Sequence, residues 1–172
     1  MIYKIRVILD SADDVLRDLE IPATSTLEDF HNIIHQSFQL QGDEMASFYE
    51  TDDEWNQGQE YCLFDMSGGM EPVKKMEDTT IDQALSKQKP NLIYIYDFLS
   101  MWTFMITLVD IDQAEDGEQY PRVLFAMGEL PDEAPDRNFE ADPRFDNDLE
   151  DDDLNDDDDY YDEESFDDYE LY

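Results

Sequence analysis

The sequence predicts an α+β protein: a β-grasp-like mixed sheet packed by one main helix, followed by a disordered acidic tail. Three observations carry that expectation. The first ten residues alternate apolar and polar side chains with the period of two of a half-buried strand. Residues 25–40 change to a helical period. From Pro131 onward the chain holds 21 acidic residues against only Arg137 and Arg144, a composition that cannot bury enough apolar surface to fold alone. The expected division is a domain over 1–131 and a tail over 132–172.

The elements follow in order. In MIYKIRVILD, Tyr3, Ile5, Val7 and Leu9 share one face and Lys4 and Arg6 the other. SADD supplies a turn. VLRDLEIP repeats the alternation with Val15, Leu19 and Ile21 and closes at Pro22, so the two segments read as an antiparallel hairpin. STLEDFHNIIHQSFQL reads as a helix: Ser25 and Glu28 have capping-box spacing, Leu27, Phe30, Ile34 and Phe38 form one apolar stripe, and Gly42 ends it. ASFYE is a short strand, residues 51–78 are irregular with DMSGGM as a loop, and TTIDQALSK is a short helix stopped by Pro90.

The most apolar run is LIYIYDFLSMWTFMITLVDI, Leu92 to Ile111. Its length matches the roughly 20 residues of a membrane helix. Yet Asp97 interrupts it, and Ile, Tyr, Thr, Phe and Val at its two ends favour strands. NLIYIYDF and WTFMITLVDI are therefore read as two buried strands joined by LSM. A hairpin, a packed helix and further sheet strands in this order give the β-grasp arrangement.

Composition narrows the function. The formal net charge is −37, and residues 1–130 are themselves acidic, with 26 acids against 8 bases. Phosphate recognition needs a basic patch, and none is visible, which argues against nucleic-acid binding and against anionic membranes. A basic protein partner is the electrostatic expectation. The lone Cys62 cannot form an internal disulfide and fits a reducing compartment, and the N-terminus has no signal-peptide pattern, so a cytoplasmic location is expected.

Four segments in this order, IYKIRVIL, VLRDLEIPATSTLEDFHNIIHQSFQL, IYIYDFLSMWTFMITLVDI and YPRVL, resemble the family named after the third open reading frame of a bacterial Ri plasmid. The resemblance runs from about Ile2 to Pro131. It implies a β-grasp-like fold and little chemistry, because members are small bacterial, archaeal and plasmid- or transposon-associated proteins without an established activity. Members carry a polar turn, Tyr-Asp-Phe-Gly-Asp-Asp-Trp-x-His. Here Tyr96, Asp97, Phe98 and Trp102 stand in place, but Leu99, Ser100 and Met101 replace the Gly-Asp-Asp part and Phe104 the histidine. Val123 stands where relatives often have a cysteine. A polar site at that turn would have lost most of its donors in this chain.

No catalytic, cofactor-binding or metal-binding residue is assigned. His31 and His35 stand one helical turn apart and could offer two imidazoles to a metal, but no further His or Cys cluster completes the set, and Asn32 excludes the HExxH motif. DIDQAEDGE departs from a calcium loop at Ala114 and Glu115. There is no GxSxG elbow and no glycine-rich phosphate loop. Asp97, the acid inside the apolar run, is expected to satisfy backbone N–H groups at the turn.

The tail interleaves acids with large apolar residues, and Tyr160, Tyr161, Phe166 and Tyr169 are the candidate partner-binding residues. The expected function is a non-enzymatic acidic module that binds a basic protein. The alternatives are a solubilising tail without a partner, a small metal-dependent enzyme, and a DNA mimic built on a rigid carboxylate array.

Overall fold

The apolar alternations and the helical stripe assemble into one eight-stranded sheet with helices on one face. The computed structural model describes residues 1–135, which lie within one compact unit, Met1–Asp136. Strands are β1 (Ile2–Leu9), β2 (Leu16–Pro22), β3 (Ala46–Thr51), β4 (Gln57–Cys62), β5 (Lys74–Lys75), β6 (Asn91–Tyr96), β7 (Trp102–Asp112) and β8 (Arg122–Met127). Helix α1 spans Leu27–Phe38 and α2 spans Ile81–Ala84, the latter preceded by a 3₁₀ turn at Met76–Asp78. The strand order is β5-β4-β3-β6-β7-β1-β2-β8. Every pair is antiparallel except β4–β5, so the sheet is mixed by virtue of a two-residue ladder at one edge.

The α+β class, the mixed sheet and its one main helix are thus as the sequence predicts, as are the β1–β2 hairpin, β3 and the two strands from the Leu92–Ile111 run. No helix among the described residues is long and apolar enough to cross a membrane. The β-grasp expectation extends only to the order hairpin, helix, strand. The larger sheet adds β4 and β5, in a stretch that sequence patterning reads as irregular chain, and β8, which it does not assign.

Those strands are hard to read for a physical reason. Gln57, Gly58, Gln59 and Glu60 are all exposed, and only Tyr61 and Cys62 at the end of β4 are buried. Their strand geometry comes from the backbone ladder to β3, which needs no apolar alternation. β8 is an edge strand exposed along nearly its whole length. Its register with β2 shifts between Asp18 and Leu19, where Leu124 is the extra residue, and a bulge of this kind twists an edge away from further pairing. A second bulge lets β7 keep its core face: Ile5 pairs with Leu108 but Tyr3 with Ile111, and Val109 bulges outward, 61% exposed.

Helix α1 begins one residue later than expected. Thr26, not Ser25, is the N-cap: its Oγ1 accepts the Asp29 N–H at 3.1 Å, and the Asp29 carboxylate accepts the Thr26 N–H at 3.0 Å. The capping box is thus Thr26–Asp29, and Ser25 instead gives its carbonyl to the Ile81 N–H. Nor does Gly42 end the helix; Gln39 does, in left-handed conformation at φ 55°. α2 is a single turn capped by Thr80 and Gln83, closed at Leu85 well before Pro90.

Leu27, Phe30, Ile34 and Phe38 are all buried against the sheet. Phe30 stacks on Phe48 of β3 with ring centroids 5.3 Å apart, Phe48 meets Tyr94 of β6 at 4.8 Å, and Phe38 meets Phe104 of β7 at 4.7 Å. At the helix C-terminus Arg17 reaches from β2: Nε donates to the Ser37 carbonyl, Nη1 donates to the carbonyls of Leu16 and Met127, and the guanidinium lies 4.7 Å from the Phe38 ring. One buried cation therefore ties β2, α1 and β8 together.

Trp102 is half-buried and packs against the core from its margin, rather than filling it as a strand-opening anchor would. Phe104→Ala should therefore destabilise by about 3–5 kcal/mol, the usual cost of emptying a core aromatic site, and Trp102→Ala by about 1–2 kcal/mol. Chemical denaturation of the two variants checks the order; equal losses would place Trp102 in the core.

Candidate functional site

Three strand ends meet at one end of the sheet. β3 begins there at Ala46, β4 ends at Cys62 and β6 ends at Tyr96; the pairings Ala46↔Tyr96 and Ser47↔Cys62 bring them level. Backbone bonds carry the pairing one step further, from Leu63 N–H to the Ala46 carbonyl at 3.0 Å and from Asp97 N–H to the Met45 carbonyl at 2.8 Å. Because side chains alternate across a sheet, the residues leaving these ends line two different clefts, one on each face.

On the helical face lies a cleft of about 290 Å³ lined by both histidines of α1 together with Glu28, Asp43, Glu44, Phe64 and Tyr96. Its floor is a hydrogen-bonded cluster. His31 is only 8% exposed, and its Nδ1 shares a 2.7 Å hydrogen bond with the Tyr94 hydroxyl. Burial pushes the His31 imidazole down to about 4, the neighbouring His35 adds to the fall, and Asp43 opposes it. Burial likewise raises the Tyr94 hydroxyl well above its usual range. Both groups are therefore neutral at pH 7. His35 donates from Nε2 to the Gly42 carbonyl at 2.8 Å, and the Tyr96 hydroxyl donates to the same carbonyl at 2.6 Å while accepting the Glu44 N–H at 3.2 Å.

The i and i+4 histidines do fall side by side, with ring centroids 6.1 Å apart, but His31 is bound to Tyr94 of β6 and His35 to the Gly42 carbonyl in the loop after α1. Among the described residues no group of three or more His, Cys, Asp or Glu is placed to hold a metal ion. The DIDQAEDGE acids disperse: Asp110 and Asp112 lie on β7, where Asp112 pairs with Lys4 at 2.6 Å.

On the opposite face a cleft of about 410 Å³ is lined by Met45, Phe64, Met66, Val73 and Phe98, with Glu60 and Glu71 also contributing. Phe64 is 59% exposed and Met66 73%. Cys62 sits at the floor, buried; burial pushes its thiol up, and Sγ donates to the Lys74 carbonyl at 3.4 Å, so it stays a thiol. The loop between Leu63 and Lys74 is shaped by Asp65, whose carboxylate accepts from Ser67 and from the N–H of Gly69, with Gly68 and Gly69 at φ 65° and 83°.

The β6–β7 turn spans the Tyr96–Trp102 segment. Asp97 adopts φ 58°, a conformation that Asp tolerates better than most residues, and its carboxylate accepts the Leu99 N–H at 3.1 Å. Met101 also has a positive φ, 60°, and donates its N–H to the Asp97 carbonyl. Leu99 at the tip is 95% exposed. Asp97 thus serves the turn's own backbone.

Tyr160, Tyr161, Phe166 and Tyr169 lie outside the described residues. The two clefts were missed by sequence reading because they depend on β4, and because the acids Asp43 and Glu44 carry no mark that separates them from the chain's other carboxylates. The capping-box ambiguity at Ser25-Thr26 also hid that Glu28 is left free to line a cleft.

Neutral His31 has a testable consequence. Its folded pKa lies below the ordinary 6.5, so the unfolded chain binds the extra proton first, and the His31 contribution to stability is complete above pH 6.5 and lost as pH falls toward 4. Wild type should therefore lose up to about 3 kcal/mol relative to His31→Gln between pH 7 and pH 4. Parallel denaturation curves of the two proteins check this; a pH-independent difference would contradict it.

Comparison with known proteins adds fold and family. No curated protein matches. A crystal structure of a protein of unknown function from Methanosarcina mazei Go1 superposes with a TM-score of 0.64 at 15% identity, covering 73% of this chain and 68% of that one. At that identity the likeness concerns the fold alone. The family model described as plasmid pRiA4b ORF-3-like protein matches residues 1–168, and the chain belongs to that family.

Proposed function

We propose that this protein is an acidic, non-enzymatic interaction module that binds a basic protein partner, with its C-terminal aromatic residues Tyr160, Tyr161, Phe166 and Tyr169 making the desolvated contacts. The observation that carries this reading is that seven of the eight cations of residues 1–130, all but the exposed Lys87, are committed to partners within the fold. Lys4 pairs with Asp112, Arg6 grips Asp18 with two bonds of 2.7 Å, Lys75 pairs with Glu77, Lys89 with Glu50, and Arg122 with Glu20, Glu115 and Glu118. Arg17 is held by backbone carbonyls and Phe38, and Lys74 lies 5.6 Å from the Tyr61 ring centroid. With 26 acids on that body and 19 more among residues 136–172, the uncompensated charge is negative on both parts of the chain.

Such a field attracts basic proteins over a Debye length and repels nucleic acid and anionic lipid. Charge then sets the rate of encounter, while burial of apolar groups sets the lifetime of the complex. Four aromatics spaced among acids suit the second task.

Stopped-flow mixing with a labelled arginine-rich peptide bearing spaced leucines tests the division of labour. Raising salt from about 0.05 M to about 0.5 M should slow association tenfold or more. Replacing Tyr160, Tyr161, Phe166 and Tyr169 by Ser should speed dissociation and leave association nearly unchanged. Equal rates for wild type and this variant would leave the tail with no role in recognition.

A further inference from the structure

The two clefts at the end of β3, β4 and β6 share one wall. Phe64 lines both, and three short chain segments run from one to the other: 43–45, 62–64 and 96–98. In the first segment Asp43 and Glu44 face the helical-side cleft while Met45 faces the other. In the third, Tyr96 lines the helical-side cleft and Phe98 the other. The result is an acidic, aromatic-walled depression and an apolar, methionine-lined one, separated by a phenylalanine ring that is itself largely exposed.

We propose that this pair of clefts is a docking seat on the folded body for a partner segment that presents an arginine or lysine next to a large apolar side chain. The inference rests on the basic-partner reading above and locates a second, tail-independent contact for it.

Charge complementarity selects the occupant. Glu28, Asp43 and Glu44 line the helical-side cleft, and no Lys or Arg is among its lining residues. The exposed Phe64 ring, with the half-buried imidazole of His35 across the cleft, offers the π surface that a guanidinium or ammonium group prefers. The other cleft offers Met45 and Met66, flexible thioethers that adapt to the shape of an inserted apolar group, beside Val73 and Phe98. Its one lining cation, Lys74, is turned over the Tyr61 ring, and Glu60 and Glu71 keep this side negative too. A second copy of this chain is a poor occupant, because its own net charge of −37 would have to approach the same acids.

Three capped, labelled peptides of equal length separate the possibilities: one with Arg beside Leu, one with Arg beside Ser, and one with Ser beside Leu. Fluorescence anisotropy with the full chain should show the Arg–Leu peptide binding about tenfold tighter than either control. Phe64→Ser should abolish that preference, Phe64→Leu should restore most of it, and Asp43→Asn with Glu44→Gln should abolish the advantage over the Ser–Leu peptide. All three positions are exposed, so thermal melts should match wild type. The variant with Ser at Tyr160, Tyr161, Phe166 and Tyr169 should bind every peptide less tightly but keep the same ratio between them. An Arg–Leu preference that survives Phe64→Ser with an unchanged melt overturns the seat. A preference lost only in the tail variant also overturns the seat and leaves the tail reading standing. A preference that depends on Phe64, with no effect of the tail variant on any peptide, keeps the seat and overturns the tail.

Discussion

The contact on which the rest of this structure depends is the aromatic layer between α1 and the middle of the sheet. Phe30, Phe48, Tyr94, Phe104 and Phe38 form a chain of ring contacts with centroids between 4.7 and 5.8 Å apart, spanning the helix and strands β3, β6 and β7. Large rings bury the most area per side chain, and edge and stacked contacts add to that burial. The layer fixes the rotation of α1 as well as its position. With Phe30, Ile34 and Phe38 turned inward, His31 is carried into contact with Tyr94, and His35 comes to the sheet end. The make-up of the helical-side cleft follows from that rotation.

How much of this was legible in the sequence can be argued residue by residue. Tyr3, Ile5, Val7 and Leu9, and the α1 stripe from Leu27 to Phe38, announce their burial because core packing imposes a period on them, and they are buried. The Leu92–Ile111 run resolves into two strands because strand-forming residues outnumber helix formers and Asp97 needs a turn. What patterning cannot register is structure held by backbone ladders alone. β4 is exposed on four of its six residues, and β8 is exposed on both faces at an edge; each exists because a neighbouring strand offers its hydrogen bonds. The clefts depend on β4 and the loop after it, so they shared its invisibility. The capping slip by one residue has a smaller cause: Ser25-Thr26 precedes Glu28-Asp29, two boxes in adjacent registers, and the choice falls to the contact between the α1 and α2 entries, where Leu27 N–H meets the Thr79 carbonyl.

The acidity of the folded part comes with a structural cost that its few cations are positioned to reduce. Self-repulsion among like charges opposes compactness. Three of them meet on the β1–β2–β8 side: Lys4 and Arg122 both address Glu20, which is 6% exposed on β2, and Arg6 bridges to Asp18, two residues before Glu20 on that strand. A carboxylate as buried as Glu20 would be costly without partners. Placing cations there leaves the rim acids of the β3–β4–β6 end, Asp43, Glu44 and Glu28, without a basic residue beside them in their cleft. The β1–β2–β8 side of the sheet is therefore laced with ion pairs, while the helical-side cleft at the β3–β4–β6 end has acids and no basic residue in its lining.

That asymmetry also bears on the β6–β7 turn. The turn carries Leu99, Ser100 and Met101, none of them acidic, and Asp97 is occupied with the Leu99 N–H. The side chains on either flank of the turn's base diverge, Tyr96 toward the helical-side cleft and Phe98 toward the other. A rigid strand end positions groups more firmly than a loop tip does. Tyr96 is 1% exposed with its hydroxyl bound to the Gly42 carbonyl, so the segment carrying Asp43 and Glu44 is tied to β6 through a buried ring. The backbone that carries the acids of this cleft is held by the core, so the Asp43 and Glu44 carboxylates are attached to a fixed frame.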